Sequence, residues 1–298
     1  AAARRDPASS PGVVQATWLD PDAEALELGL AVVREREAVR AAPDRISLRV
    51  ATVAGRLDAR GSLDDRARFD VVLVGNVLSE LDVAVPAEQR VAIHAAWLAD
   101  LLERRVDAHG SLVVVEPALR DRTRHLHRVR DSLAAVGVTV FAPCLHAAPC
   151  PALDRESDWC HEDVPVHLPR WLEPIARKAG LRWQGLTFSY LIVRKDGVRM
   201  ADALDLPSGA ARLRVVSDPI RTKGKSDVFL CGELPAQASP RGVRIRTTRL
   251  DRDVSDLNAS WGDVHRGDTI VVDPAPNPER PRIGGGARVS RLGDTESR

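Results

Sequence analysis

Three of the chain's four cysteines, Cys144, Cys150 and Cys160, fall in the stretch CLHAAPCPALDRESDWCH, separated by five and nine residues; the fourth, Cys231, follows in FLCGE. Thiols in such a set serve as apolar filler, disulfides, a nucleophile or metal ligands. Pro143, Pro149 and Pro151 keep the stretch from becoming helix or central strand, so a loop without backbone pairing of its own needs something to hold it. Four thiolates satisfy either tetrahedral Zn²⁺ or a [4Fe-4S] cluster. Structural zinc more often uses closely spaced cysteine pairs; the wider spacing here suits the larger cluster, and zinc stays open as the alternative. His146 and His161 are alternates for zinc but are expected around the metal rather than on it. A catalytic nucleophile needs an accessible, activated thiolate, and a metal-bound sulfur is already occupied.

The elements that must position these residues read as α/β. Apolar runs at GVVQATWL, ISLRVATVA, FDVVLVGNVL and GSLVVVEP alternate with helical patterns at DAEALELGLAVVREREAV and AEQRVAIHAAWLADLLERRV. That order predicts a parallel sheet with helices on both faces, its third and fourth strands buried. VGVTVFAP and LTFSYLIVRKDG read as two further strands. Ligands of such sheets sit at the carboxyl ends of strands, where Asp20 is placed to hydrogen-bond the ribose of an adenosine cofactor and Asn76 to line the same crevice. Asp20 is equally an N-cap of the following helix. Glu80 and Glu116, near strand ends, read as bases or as capping and crevice-lining carboxylates.

The α/β domain is expected over residues 1–200, including a metal-binding insertion at 143–180. RLRVVSDPI, SDVFLCGE, GVRIRTTRL and GDTIVVD predict a small β-rich domain at 211–273, and the Pro, Gly and Arg content after Pro274 predicts a disordered tail over 274–298. A net charge of +1 leaves any nucleic-acid surface to local clustering. Ten Lys or Arg fall between Arg212 and Arg252; of these Arg221, Lys223, Lys225, Arg244 and Arg246 are candidate RNA contacts. Arg120, Arg124 and His127 or Arg128 form a second basic face in LRDRTRHLHRVR, equally readable as a solvated amphipathic helix. No apolar run reaches the roughly 20 residues of a membrane span, and AAARRDPASSPG lacks the apolar stretch of a signal peptide. A cytoplasmic or processed organelle-matrix protein follows, where stable disulfides are rare; neither a membrane nor DNA is an expected partner.

WLDPDAEALELG, FDVVLVGNVLSELD, GSLVVVEPALRDRTRHLHRVRDSL and FSYLIVRK together resemble a class I S-adenosylmethionine methyltransferase (a Rossmann-like fold). More narrowly, the order of VLSEL, VEP, the cysteine stretch and FSYLIVRK resembles the methyltransferase-like family associated with the small ribosomal subunit, of the methyltransferase-like protein 17 type, over about Val14 to Asp263. The resemblance implies a [4Fe-4S] cluster on Cys144, Cys150, Cys160 and Cys231, contact with small-subunit rRNA, and a role in assembling ribosomal precursors, by an active rRNA methyltransferase or by a factor that keeps only the fold. It also implies a first strand and glycine-rich cofactor loop before Asp20, which this sequence does not contain. S-adenosylmethionine binding is therefore expected of a longer protein rather than of this chain, and without its central first strand the sheet should expose apolar surface. The ligand run of radical S-adenosylmethionine enzymes and the base-gripping motif of amino methyltransferases are both absent. A zinc-stapled protein-binding module is the reading outside the ribosome.

Overall fold

The computed structural model of the chain describes residues 12–38, 46–55, 66–181, 185–203, 209–235 and 242–292. They fall into two compact units, Ala1–Ala67 and Arg68–Arg298, instead of one α/β domain over 1–200. In the first unit β1 (Gly12–Asp20) pairs in parallel with β2 (Ile46–Ala54). The helix between them, α1 (Ala23–Ala38), is started by Asp22, whose Oδ1 accepts from the N–H groups of Glu24 and Ala25 at 2.9 and 3.1 Å. Asp20 instead accepts the Asp22 N–H at 2.8 Å, a turn that leads into the cap. Gly29 on α1 lies against the Trp18 ring, which an added Cβ would meet at 2.7 Å.

The second unit contains β3 (Phe69–Gly75), α2 (Ala87–Arg105), β4 (Val106–Pro117), α3 (Arg120–Ala135), β5 (Thr139–Ala142), β6 (Glu162–Pro165), α4 (Glu173–Lys178) and β7 (Gly185–Arg194). Its five-stranded sheet runs β3-β4-β7-β5, with β6 also on β7. Strands β3 and β4 are parallel, whereas β7 is antiparallel to β4, β5 and β6, so the sheet is mixed where an all-parallel one was expected. Leu98 and Leu102 of α2, and Leu126, Val129 and Leu133 of α3, are buried with Leu112, Val114, Leu191 and Val193 of the sheet. Both helices serve this one core, and β3 follows an alternating pattern: Val74 is 3% exposed, while Val71 and Leu73 are 59% and 67% exposed. The expected burial of β3 on both faces is thus corrected within this unit.

The remaining strands form a second sheet. Strands β8 (Ala211–Val215), β9 (Ile220–Thr222), β10 (Lys225–Gly232), β11 (Val243–Leu250), β12 (Thr269–Asp273), β13 (Arg282–Ile283) and β14 (Arg288–Arg291) run β13-β11-β10-β8-β12-β14, with β9 on β10. Its core closes around Trp261, Leu213, Leu230 and Ile270. The expectation of a disordered tail from residue 274 is overturned as far as Leu292, since β13 pairs with β11 and β14 with β12. Composition hid the cause: Ile283 and Val289 are buried, and the Gly284 and Gly285 carbonyls accept from Asn258 and Ser255 at 3.2 and 2.7 Å.

Where α2 meets α3, His94 Nδ1 stands 2.9 Å from His125 Nε2, and His94 Nε2 lies 3.3 Å from Asp82 Oδ2. Burial lowers the His94 pKa despite Asp82, and burial followed by the His94 and Arg90 charges lowers His125 to about 4. Both therefore protonate more readily in the unfolded chain, near the ordinary value of about 6.5, than in the fold. The His125 contribution to stability is complete above that value and is lost as pH falls toward about 4, and His94 acts in the same direction. Urea midpoints should be flat above neutrality and decline below it, and His125→Gln should blunt the decline.

Candidate metal centre

Strands β5 and β6 pair with successive parts of the same strand: β5 with residues 192–194 of β7 and β6 with residues 185–188. The cysteine stretch is the excursion between them, and α3 pins it from one face. Cys150 N–H donates to both Asp131 carboxylate oxygens at 3.0 Å, and Cys160 N–H donates to His127 Nε2 at 3.1 Å. Arg124 donates to the carbonyls of Ala152, Arg155, Asp158 and Leu153 at 3.0, 2.6, 2.7 and 3.3 Å. Arg130 donates to Ala148 O at 2.5 Å and to His146 O. Residues 124, 127 and 131 recur at helical spacing. In the stripe read as RNA-facing, Arg124 and His127 are thus turned to the loop, Arg124 being 8% exposed, while Arg120 and Arg128 stay exposed. Burial, followed by the nearby Arg244 and Arg130 charges, lowers His127 to about 3, so that its Nε2 is free to accept.

Cys231 reaches the same place from the other sheet. On β10 it pairs directly with Arg214 of β8 and Arg244 of β11, and opposed residues on neighbouring strands share a face. Cys144, Cys150, Cys160 and Cys231 line one cavity together with Arg130, Arg214 and Arg244. Burial, reinforced by neighbouring thiols, pushes the Cys150 and Cys231 thiols up; burial also raises Cys160, against Arg244 and Arg214. His146 Nε2 is 3.8 Å from Cys231 Sγ. The walls are tied by two ion pairs, Arg214–Glu162 at 2.5 Å and Arg244–Asp158 at 2.6 Å.

This donor set suits an anionic, sulfur-ligated group. Burial favours the neutral thiols, so ionised sulfurs here would need a metal group to hold them, beside Arg130, Arg214 and Arg244, which are ion-paired with Asp131, Glu162 and Asp158. Arg130 Nε, Arg214 Nε and Arg244 Nη1 are buried without hydrogen-bond partners, an arrangement that is costly unless an acceptor fills the space. Among the described residues no three His, Cys, Asp or Glu side chains stand as a ready single-ion site. Gly242 seats the His146 ring, which an added Cβ would meet at 2.5 Å. Gly242→Ala should displace the ring and destabilise the protein by about 1–3 kcal/mol, measured by urea unfolding.

The other expected sites lie elsewhere. Asp20 belongs to the first unit and Asn76 to the second; Asn76 follows β3 with a φ of 56°, a conformation that concentrates at functional sites. Glu116 accepts the Leu78 N–H at 2.8 Å, and burial raises its pKa despite that bond. Arg221 and Lys223 are exposed, Arg221 donating to Gly262 O at 2.7 Å. Lys225 and Arg246 are paired with the buried Asp227 at 3.2 and 2.6 Å. Arg244, expected on an RNA-facing surface, turns inward, its side chain 12% exposed. Sequence reasoning missed Arg130, Arg214, Asp131, Asp158 and Glu162; for Arg214 and Arg244 the signal is strand register, which puts both beside Cys231.

Among the described residues no helix is long and apolar enough to cross a membrane. No curated protein matches the chain. The family described as mitochondrial small ribosomal subunit Rsm22 matches residues 10–266, spanning the β1–α1–β2 unit, the cysteine loop and Cys231. The chain belongs to this methyltransferase-like family of the small ribosomal subunit.

Proposed function

We propose that the protein is a small-ribosomal-subunit assembly factor that binds rRNA through a methyltransferase-like fold and carries a structural [4Fe-4S] cluster on Cys144, Cys150, Cys160 and Cys231. The observation that carries the cluster is the meeting of all four cysteines, from a loop and a distant strand, in one arginine-walled cavity. A four-thiolate cluster would satisfy the orphaned guanidinium donors and close the chain between Cys160 and Cys231, joining the loop to the β8–β14 sheet. Zinc on the same sulfurs is the alternative metal. The methyltransferase-like fold is supported by parallel β3 and β4 and by antiparallel β7 inserted between β4 and β5.

The test is co-sedimentation of the anaerobically purified protein with small-subunit precursors. Wild type should travel with them and Cys150→Ser should not; unchanged association and unchanged protease resistance in the variant would remove the structural role of the cluster. Active methyl transfer is the second reading, favoured by the strained Asn76 at the carboxyl end of β3. It requires S-adenosylmethionine binding, and calorimetry that detects none would end it.

A further inference from the structure

A second crevice opens at the carboxyl ends of β3 and β4, apart from the cysteine cavity. Its walls come from the segment after β3, the first turn of α2, the end of β4 and the exposed side of α3, and they include Arg90, Arg120, Arg122, Arg128, His125 and Glu116. Arg122 is anchored by donating to Ser79 O at 2.5 Å and lies 3.6 Å from Asp121. Arg124 also borders the crevice, but its guanidinium is committed to the loop carbonyls. Arg120 and Arg128 are exposed and have no ion-pair partner among the described residues. Arg90 Nε is buried without a hydrogen-bond partner. The cations outnumber the acids facing them, Glu156 and the Arg122-paired Asp121, and Glu116 is held toward its neutral form by burial. Unpaired guanidinium groups converging on a concave wall call for a ligand carrying several anionic oxygens.

We infer that this crevice binds a stretch of single-stranded RNA through consecutive phosphates, with Arg90, Arg120 and Arg128 as the contacts; this rests on the rRNA-binding reading above and gives it a location. The crevice itself holds about 490 Å³, within the roughly 300–1,000 Å³ of small-molecule sites; what favours a chain segment over one nucleotide is that Arg120 and Arg128 stand about 12 Å apart along the α3 axis, a span that reaches successive phosphates. No Phe, Tyr or Trp lines it, and the His125 ring is engaged edge-on with His94. Base stacking is therefore not part of the recognition, which is sequence-tolerant and strongly salt-dependent.

The test uses the whole chain, purified anaerobically, and a fluorescein-labelled uridine decamer, with anisotropy titrations at several salt concentrations. Arg120→Ala/Arg128→Ala removes two exposed, unpaired side chains and should leave the thermal midpoint unchanged. It should weaken binding at least about tenfold at low salt and reduce the slope of log K against log salt by about 1.4, from roughly 0.7 per single-strand phosphate contact. Arg128→Glu alone should also weaken binding. Wild-type affinity and slope in both variants would overturn the crevice assignment while leaving RNA binding in place elsewhere on the protein. No binding of the decamer by wild type at low salt would overturn both. Saturable ATP binding that the decamer does not displace, yet Arg120→Ala/Arg128→Ala abolishes, would replace the RNA segment with a nucleotide.

Discussion

Cys231→Ser should produce a colourless protein whose second sheet is loose. Cys231 is the one cysteine outside the 144–160 loop, so the proposed cluster would reach β10 through it alone. Losing one of four ligands in a structural site costs on the order of a few kcal/mol, enough to lower the thermal midpoint by roughly 10 °C in a domain of this size. Protease cleavage should appear between Cys160 and Ala211, where chain leaves the loop and enters the sheet. The ion pairs Arg214–Glu162 and Arg244–Asp158 remain. Wild type stripped of metal serves as the control. If ligation is the cause, stripped wild type and stripped variant unfold alike, whereas a gap of the same size between them would assign the effect to packing.

Arg124→Ala should destabilise the protein by about 3–5 kcal/mol, the range for leaving buried polar groups without their charged partner. One guanidinium serves four carbonyls of the Ala152–Asp158 segment. Without it the segment between Cys150 and Cys160 loses its template, so metal should also be retained less well. Arg124→Lys should not rescue, since an ammonium on a flexible stem cannot span the carbonyls that a planar fork reaches. Arg128→Ala, one turn further along α3 and exposed, should fall within about 0.5 kcal/mol of wild type. A small effect at Arg124 would contradict the view of α3 as the loop's clamp.

These two residues also mark how far the sequence is legible. Helical and strand periodicity identifies α1, α2 and strands β1–β5, β7, β8 and β10–β12, but not the short β6, β9, β13 and β14. Strand direction is not carried by periodicity, so the antiparallel β7 is invisible to it; in the structure β7 returns beside β6 after the cysteine excursion. Arg124 and Arg128 look identical in LRDRTRHLHRVR, and only the loop folded over α3 makes one a buried anchor and the other a surface cation. Arg244 misleads for a related reason: in VRIRT alternation says that Arg244 and Arg246 share a strand face but not what covers it, and Cys231 with Asp158 lies over the Arg244 end. The tail is the converse, a composition typical of disorder in which Ile283 and Val289 suffice to add two short strands.

Iron, sulfide and zinc analysis with visible absorption on anaerobically purified protein tests the proposed iron-sulfur cluster most directly. About four irons per chain and a broad band near roughly 400 nm are expected for a Cys-ligated cluster, both lost together in Cys231→Ser. A colourless wild-type protein with one zinc would contradict the cluster, and one with neither metal would contradict the site.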